Sequence, residues 1–375
     1  MLWCRRLNQR RRVATKSLPF LPFLLSFEEK AMATTNLDAA DLKAVSYRGL
    51  INEDVMQRIW DISKIPLPLT DRIGTDTAKN PYKEWTTDEL AAPNTGNKQV
   101  DGADTVGINN TNTGARVGNH CQISVKVVQV STRAQESDTI GRSNELAYQV
   151  MRRQQELRRD VEAIMLTNQA SVADDGNTTP GQSGGLGAWL TTSTDRGATG
   201  ADGGFSNGIV AAPAVGAKRA LSETKVRDIV QSVYQEGGDP SVLMSVPSVI
   251  RKFSEYLFTS SARVATLTSD QGKSREKAAA LGSVNVFVTD FGTLELVDNR
   301  LQQTYAADDG TAANVFIIDP QFLALAFLHG YRVEPLAKTG LADKRQMAVD
   351  WTLIVNTEKA HGVIADIDPT ADVVA

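Results

Sequence analysis

From Asp138 to Gln169 apolar side chains return every three or four residues. Leu146, Val150, Leu157, Val161, Ile164 and Met165 fall on one stripe, with Arg and Glu opposite. This spacing predicts a long amphipathic helix over Thr139–Gln169. Just before it, "CQISVKVVQVS" alternates, placing Cys121, Ile123, Val125 and Val127 on one face and Gln122, Ser124 and Lys126 on the other. A period of two predicts a half-buried strand with the Ile/Val side inward.

Further on, "LSETKVRDIVQSVYQEGGDP" predicts a helix capped by Ser222, turning Val226, Ile229, Val230 and Val233 inward and ending at Gly237-Gly238. "SVLMSV" reads as a buried strand, "PSVIRKFSEYLF" as a helix entered through Pro247, and "VNVFVTDFGTLELVDN" as two strands around Gly292. Together they predict a compact α/β block. The last third, with "NVFIIDP" stopped by Pro320, the short apolar "QFLALAFLHG", and turns near Gly340 and at 357–360, predicts a long twisted antiparallel sheet.

Two stretches lack such patterns. Asp71–His120 holds eight large apolar side chains in fifty residues, too few to offset chain entropy of roughly 1–2 kcal/mol per residue in a small domain of its own. It predicts a long hairpin or loop, anchored by the returning strand and ordered from outside. Residues 171–217, rich in Gly, Ser, Thr, Asn and Ala, predict an irregular insertion. Ahead of both, "INEDVMQRIWDISKI" predicts a short arm helix capped by Asn52, stapled by Ile51 and Met56, and carrying Ile59 and Trp60; "PLPL" then extends the chain.

Composition changes this picture mainly at the front. The chain of 375 residues is 41% hydrophobic, enough for a real core, and carries a net charge of −4. Residues 1–31 hold seven Lys or Arg against Glu28 and Glu29, so the remainder stands at −9. That acidity argues against affinity for nucleic acid through a basic surface. "RRLNQRRRVATK", "LPFLPFLLSF" and Ala31-Met32-Ala33 follow the order of a secretory signal, but Pro19 and Pro22 interrupt the apolar part. Glu28-Glu29-Lys30 requires a purine run in the message just ahead of the Met32 codon, where a bacterial ribosome-binding site belongs. Residues 1–31 are therefore read as a translated upstream leader, with Met32 as the start. Cys4 and Cys121 cannot build a disulfide framework, and no apolar run is long enough to span a bilayer.

Candidate chemistry is thin. "GQSGG" (Gly181–Gly185) fits G-x-S-x-G around Ser183, but neither flank has the strand-turn-helix pattern a nucleophile elbow needs. "GKS" at Gly272–Ser274 lacks the leading glycine of a phosphate loop, Leu267 standing in its place, and "GGLG" around Gly185 is no dinucleotide fingerprint. His120, His329 and His361 are not spaced as metal ligands, Asp174-Asp175 and Asp308-Asp309 read as solvated loop acids, and Cys121 as a small buried hydrophobe. The basic run Arg152–Arg159 is interrupted by Glu156 and reads as a solvated or inter-subunit helix face. The expectation is no catalytic residue, no cofactor and no metal.

The order of these parts resembles the major capsid proteins of tailed bacteriophages, the Hong Kong 97 type. "RIGTDTAKNPYKEWTTDELAAPN" (Arg72–Asn94) and the stretch from Phe316 to Ile367 are similar to signature stretches of a branch found in small phage heads. The resemblance implies an α+β fold with an N-terminal arm (32–70), an extension loop (71–135), a peripheral domain with a long spine helix (136–170), an axial α/β domain (171–310), a returning peripheral sheet (311–367) and a tail (368–375). It implies that copies form hexamers and pentamers of an icosahedral head around double-stranded DNA, without sequence specificity or membrane. Assembly would occur in the bacterial cytoplasm, with a separate scaffolding protein and a portal. Tyr82, Trp85 and Leu90 would be the loop's inter-subunit contacts, and Ile59 and Trp60 those of the arm. Lys83 and Lys98 lie in the loop without a marked acceptor, so no covalent cross-link is expected. The alternatives are a secreted or surface β-rich binding protein, with the leader as signal peptide, and a hydrolase using Ser183.

Overall fold

The computed structural model describes residues 66–102, 104, 114–139, 142–259 and 285–374. The leader, the arm helix with Ile59 and Trp60, and Gly272–Ser274 lie outside them. The chain enters through Leu67 and Leu69, both buried, into β1 (Gly74–Thr77). A hairpin of β2 (Tyr82–Thr87) and β3 (Ala115–His120) leads to β4 (Gln122–Ser131), the short α1 (Thr132–Glu136) and the amphipathic α2 (Glu145–Met165). The insertion contains α3 (Leu186–Trp189), β5 (Ser193–Asp195), β6 (Gly204–Ser206) and β7 (Ile209–Ala211). Next come α4 (Glu223–Gln235), β8 (Val242–Ser245), α5 (Pro247–Thr259), β9 (Val286–Thr289) and β10 (Gly292–Asp298). The chain finishes with β11 (Tyr305–Ala307), β12 (Gly310–Ile318), β13 (Leu323–Pro335), β14 (Ala342–Val355) and β15 (Gly362–Ile367).

The strands form two main sheets. One has four strands in the order β1-β13-β14-β4; the other has seven, β5-β15-β12-β8-β10-β9 with β11 beside β12. The expected C-terminal sheet is thus divided. β13 and β14 lie in the first sheet, while β12 and β15 lie in the second among the α/β block. Alternation reports which face of a strand is buried and says nothing of its partner. Between β12 and β15 the chain changes sheet at two corners. At one, the Asp319 carboxylate caps a 3-10 turn by accepting from Gln321 N at 3.0 Å; the other is the turn Glu358–Ala360. Asp319 N donates to His361 Nδ1 at 3.3 Å, so the two corners are bonded to each other.

The long helix is shorter than its periodicity suggests. Asn144 takes the cap, its Oδ1 accepting from Ala147 N at 2.9 Å, and the helix runs 21 residues to Met165. Thr139 and Arg142 pair with each other as an isolated bridge instead of joining it. Leu157, Val161 and Met165 are buried against Val128, Val130, Met347 and Trp351, in a cluster that continues to Met244 and Phe316 of the second sheet. A second cluster packs Val226, Val230 and Val233 of α4 and Phe253 of α5 on Leu243, Val315 and Ile317. β12 and β15 are thus buried on both faces, which explains the apolar stretches Val315–Ile318 and Val363–Ala365 within them.

The insertion is packed more tightly than its composition implies. Leu186, Ala188, Trp189 and Leu190 are buried. A Cβ on Gly185 would stand 2.3 Å from Thr167 O, so glycine here permits close backbone approach after α2.

Candidate assembly surfaces

The hairpin of β2 and β3 is rooted in its own chain. Trp85 Nε1 donates to Val355 O at 3.0 Å, and its ring lies 5.5 Å from that of Trp189, which stacks on Phe205. Tyr82 sits opposite His120 across the ladder, with ring centroids 4.6 Å apart. Gly118 makes room for the tyrosine, since a Cβ there would meet its ring at 2.7 Å. Lys83 pairs with Asp76 at 2.9 Å and donates to Thr77 O, while Lys359 bridges Glu89 at 2.6 Å and Glu236 at 3.0 Å. Beneath these contacts is a cleft of about 500 Å³ lined by Trp189, Phe205, Thr87 and Glu358. Trp85 therefore turns its ring inward and Tyr82 lies half-buried over His120 and Gly118, whereas Leu90 is 100% exposed and Val100 80%. Lys98 is also exposed.

β4 reverses its expected face. Gln122, Ser124 and Lys126 point toward α2 and its surroundings: Gln169 Nε2 donates to Gln122 Oε1, Trp351 Nε1 donates to Ser124 Oγ, and Lys126 pairs with Asp160. Val128 and Val130 are buried, while Ile123, Val125 and Val127 are 60%, 43% and 53% exposed. Cys121 is covered by a small cluster with Ala78, Ala326 and Ile354 at the hairpin root, and the open row begins two residues later. The signal in the sequence is the shift of apolar parity at Val127-Val128, which leaves both faces part apolar. Among the described residues β4 is also the sheet's edge strand, so an apolar row runs along a rim that no described strand pairs with.

The motif residues are structural. Ser183 is buried; Asn119 Nδ2 and Leu353 N donate to its hydroxyl at 3.2 Å, and Thr352 Oγ1 lies at 3.3 Å. None of these partners is a base, and no strand leads into the residue. His120 stacks at the hairpin root, His329 is exposed opposite Asp350, and His361 is buried, so the fold does not bring them together. Among the described residues no three His, Cys, Asp or Glu side chains gather as metal ligands would. Asp175 accepts from the backbone N–H groups of Asn177, Thr179 and Thr178, and these bonds hold its carboxyl well below the usual carboxylate range. On α2, Arg153 pairs with Glu156, and Arg158 lies over the Tyr331 ring at 5.2 Å.

Comparison with known proteins bears on these surfaces. Residues 31–368 match the family model of the SU10 major capsid protein. The major capsid protein of Escherichia phage Phieco32 is 33% identical over 103 residues, covering 28% of this chain and 29% of that protein. The match thus spans under a third of that relative's length. Among solved structures, one from Mycobacterium phage Bobi superposes with a TM-score of 0.51 at 9% identity, over 89% of this chain and 99% of that one. The capsid of a native GTA particle superposes with a TM-score of 0.51 at 11% identity, over 87% and 99%.

Proposed function

The chain belongs to the SU10 major capsid protein family and has the Hong Kong 97-type fold, and from that premise we propose that its copies form hexamers and pentamers closing an icosahedral phage head around double-stranded DNA. The observation that carries this reading is the row Ile123, Val125 and Val127, apolar and exposed on an edge strand. Such a rim invites aggregation in a lone molecule and becomes an asset when a neighbour covers it. Leu90 and Val100, fully and largely exposed on the extension loop, are the matching apolar groups to be buried by another copy. Tyr82 and Trp85 hold the loop's root in position for that contact, and Ile59 and Trp60 extend the contact along the arm.

The protein works as a wall rather than an enzyme. A chain at −9 beyond residue 31 avoids adhering to packaged DNA, since phosphate attraction grows with Lys and Arg contacts. A separate scaffolding protein and a portal complete assembly in the bacterial cytoplasm, and Lys83 and Lys98 form no covalent link. Electron microscopy of the expressed protein tests the reading. Capsomers or closed shells are expected; a monomer at every concentration would refute it. Boiling shells in denaturant should release single chains, and a ladder of covalent multimers would overturn the unlinked wall.

A further inference from the structure

Glu162 lies on the inward face of α2 and is wholly buried. Its two oxygens receive four neutral donors. Leu69 N and Asn299 Nδ2 meet Oε1 at 2.7 and 2.9 Å, while Thr70 N and Thr70 Oγ1 meet Oε2 at 2.8 and 2.5 Å. These donors come from two distant parts of the chain. Leu69 and Thr70 form the exit of the N-terminal arm, and Asn299 follows β10 in the second sheet. Asn299 is itself buried, its backbone N–H donating to Ser245 O at 3.0 Å and its Oδ1 accepting from Leu301 N at 2.9 Å. A cleft of about 850 Å³ runs between the same two parts, with Pro66 and Asp71 on one side and Asp298 and Leu301 on the other. Arg72 crosses it to Glu295 at 2.7 Å.

A buried carboxylate must have its lone pairs satisfied, and here both oxygens are filled from both sides at once. Because Leu69 N–H and the Asn299 side-chain amide share Oε1, one carboxylate orientation serves both parts of the chain, and losing any donor removes one of the four contacts that fix that orientation. We propose that Glu162 is a coupling joint: it makes Leu69-Thr70 and the end of β10 open and close together, so that a displacement of Leu69 and Thr70 reaches the second sheet. Glu162 is a positioning residue in this device. The inference concerns single molecules and stands apart from the shell reading.

Amide hydrogen exchange on the purified full chain tests it through reciprocity. Asn299→Ala leaves the arm's own bonds to Glu162 intact, yet it should speed exchange at Leu69 and Thr70 by roughly tenfold, the size of a typical coupling between contacting residues. Thr70→Val, made at the other end, should speed exchange at the backbone N–H of Asn299, which is bonded to Ser245 O beside the side chain's bond to Glu162, by a similar factor. Glu162→Gln, which turns a donor toward donors, should loosen both ends, and the two milder variants keep the test usable if this one fails to fold. Local effects alone, with Asn299→Ala silent at Leu69 and Thr70, would overturn the joint. Equal acceleration at Ile317, deep in the second sheet, would also overturn it, since that is global loosening.

Discussion

His361 is buried where two chain corners meet, its Nδ1 accepting from Asp319 N. Burial pushes its pKa down to about 3. The unfolded chain, with an ordinary histidine near 6.5, therefore binds a proton that the folded chain refuses. Stability should be unaffected above pH ~6.5 and fall as pH drops toward 3, by about 1.4 kcal/mol per pH unit from this group alone. His361→Asn retains an acceptor for Asp319 N and should flatten that part of the profile in urea melts; parallel profiles would refute the assignment. Burial likewise raises the Cys121 thiol to about 12, with Asp350 adding to the effect. Iodoacetamide at pH 8 should label it after denaturation and not before. At the hairpin root, Trp85→Phe should cost about 1 kcal/mol through the lost bond to Val355 O. Trp85→Ala should cost about 2 kcal/mol for a half-buried ring. Denaturant midpoints check both. Ser183 was legible as a residue without catalytic surroundings, because its flanks lack the elbow pattern. The three hydrogen-bond partners of its hydroxyl were not legible, because they lie 64 to 170 positions away in the chain.

Elements follow the sequence where one face decides them. α4 begins after Ser222 and ends by Gly237 because the cap, the apolar stripe and the glycines agree. The start of α2 was misplaced because Leu146 and Val150 are only half-buried, so the apolar stripe alone did not mark its end, and the cap Asn144 did. Asn144→Ala should cost about 1 kcal/mol and speed amide exchange at Ala147, whose N–H it leaves without a side-chain acceptor. Unchanged exchange there would mean the cap is idle. β4 was misread for a different reason: an apolar row looks the same from the chain whether the fold or a neighbour covers it. Lys126, which pairs with Asp160 of α2, shows the difference between the two faces, and that partner becomes visible only once the strand and helix are packed.

At the scale of the molecule, the α/β block and the returning sheet were legible as strands and helices, but their division between two sheets was not. Val315–Ile318 in "NVFIIDP" and Val363–Ala365 in "GVIADI" are apolar runs that report double-sided burial, and only long-range pairing decides which neighbours provide it. The assembly surface is the part least available to single-chain reasoning. Replacing Ile123 and Val127 together with Asp should leave the melting temperature near wild type, since both are exposed, while abolishing capsomers in sedimentation. Shells of normal size from this variant would move the interface elsewhere.

The polypeptide passes directly from one sheet to the other after β12 and back after β14, with the two passages bonded side by side through Asp319 and His361. Separating the sheets would have to stretch covalent backbone at both passages rather than merely unpeel side chains. Outward force on such a subunit is thus carried along peptide bonds, as tension in a doubled thread.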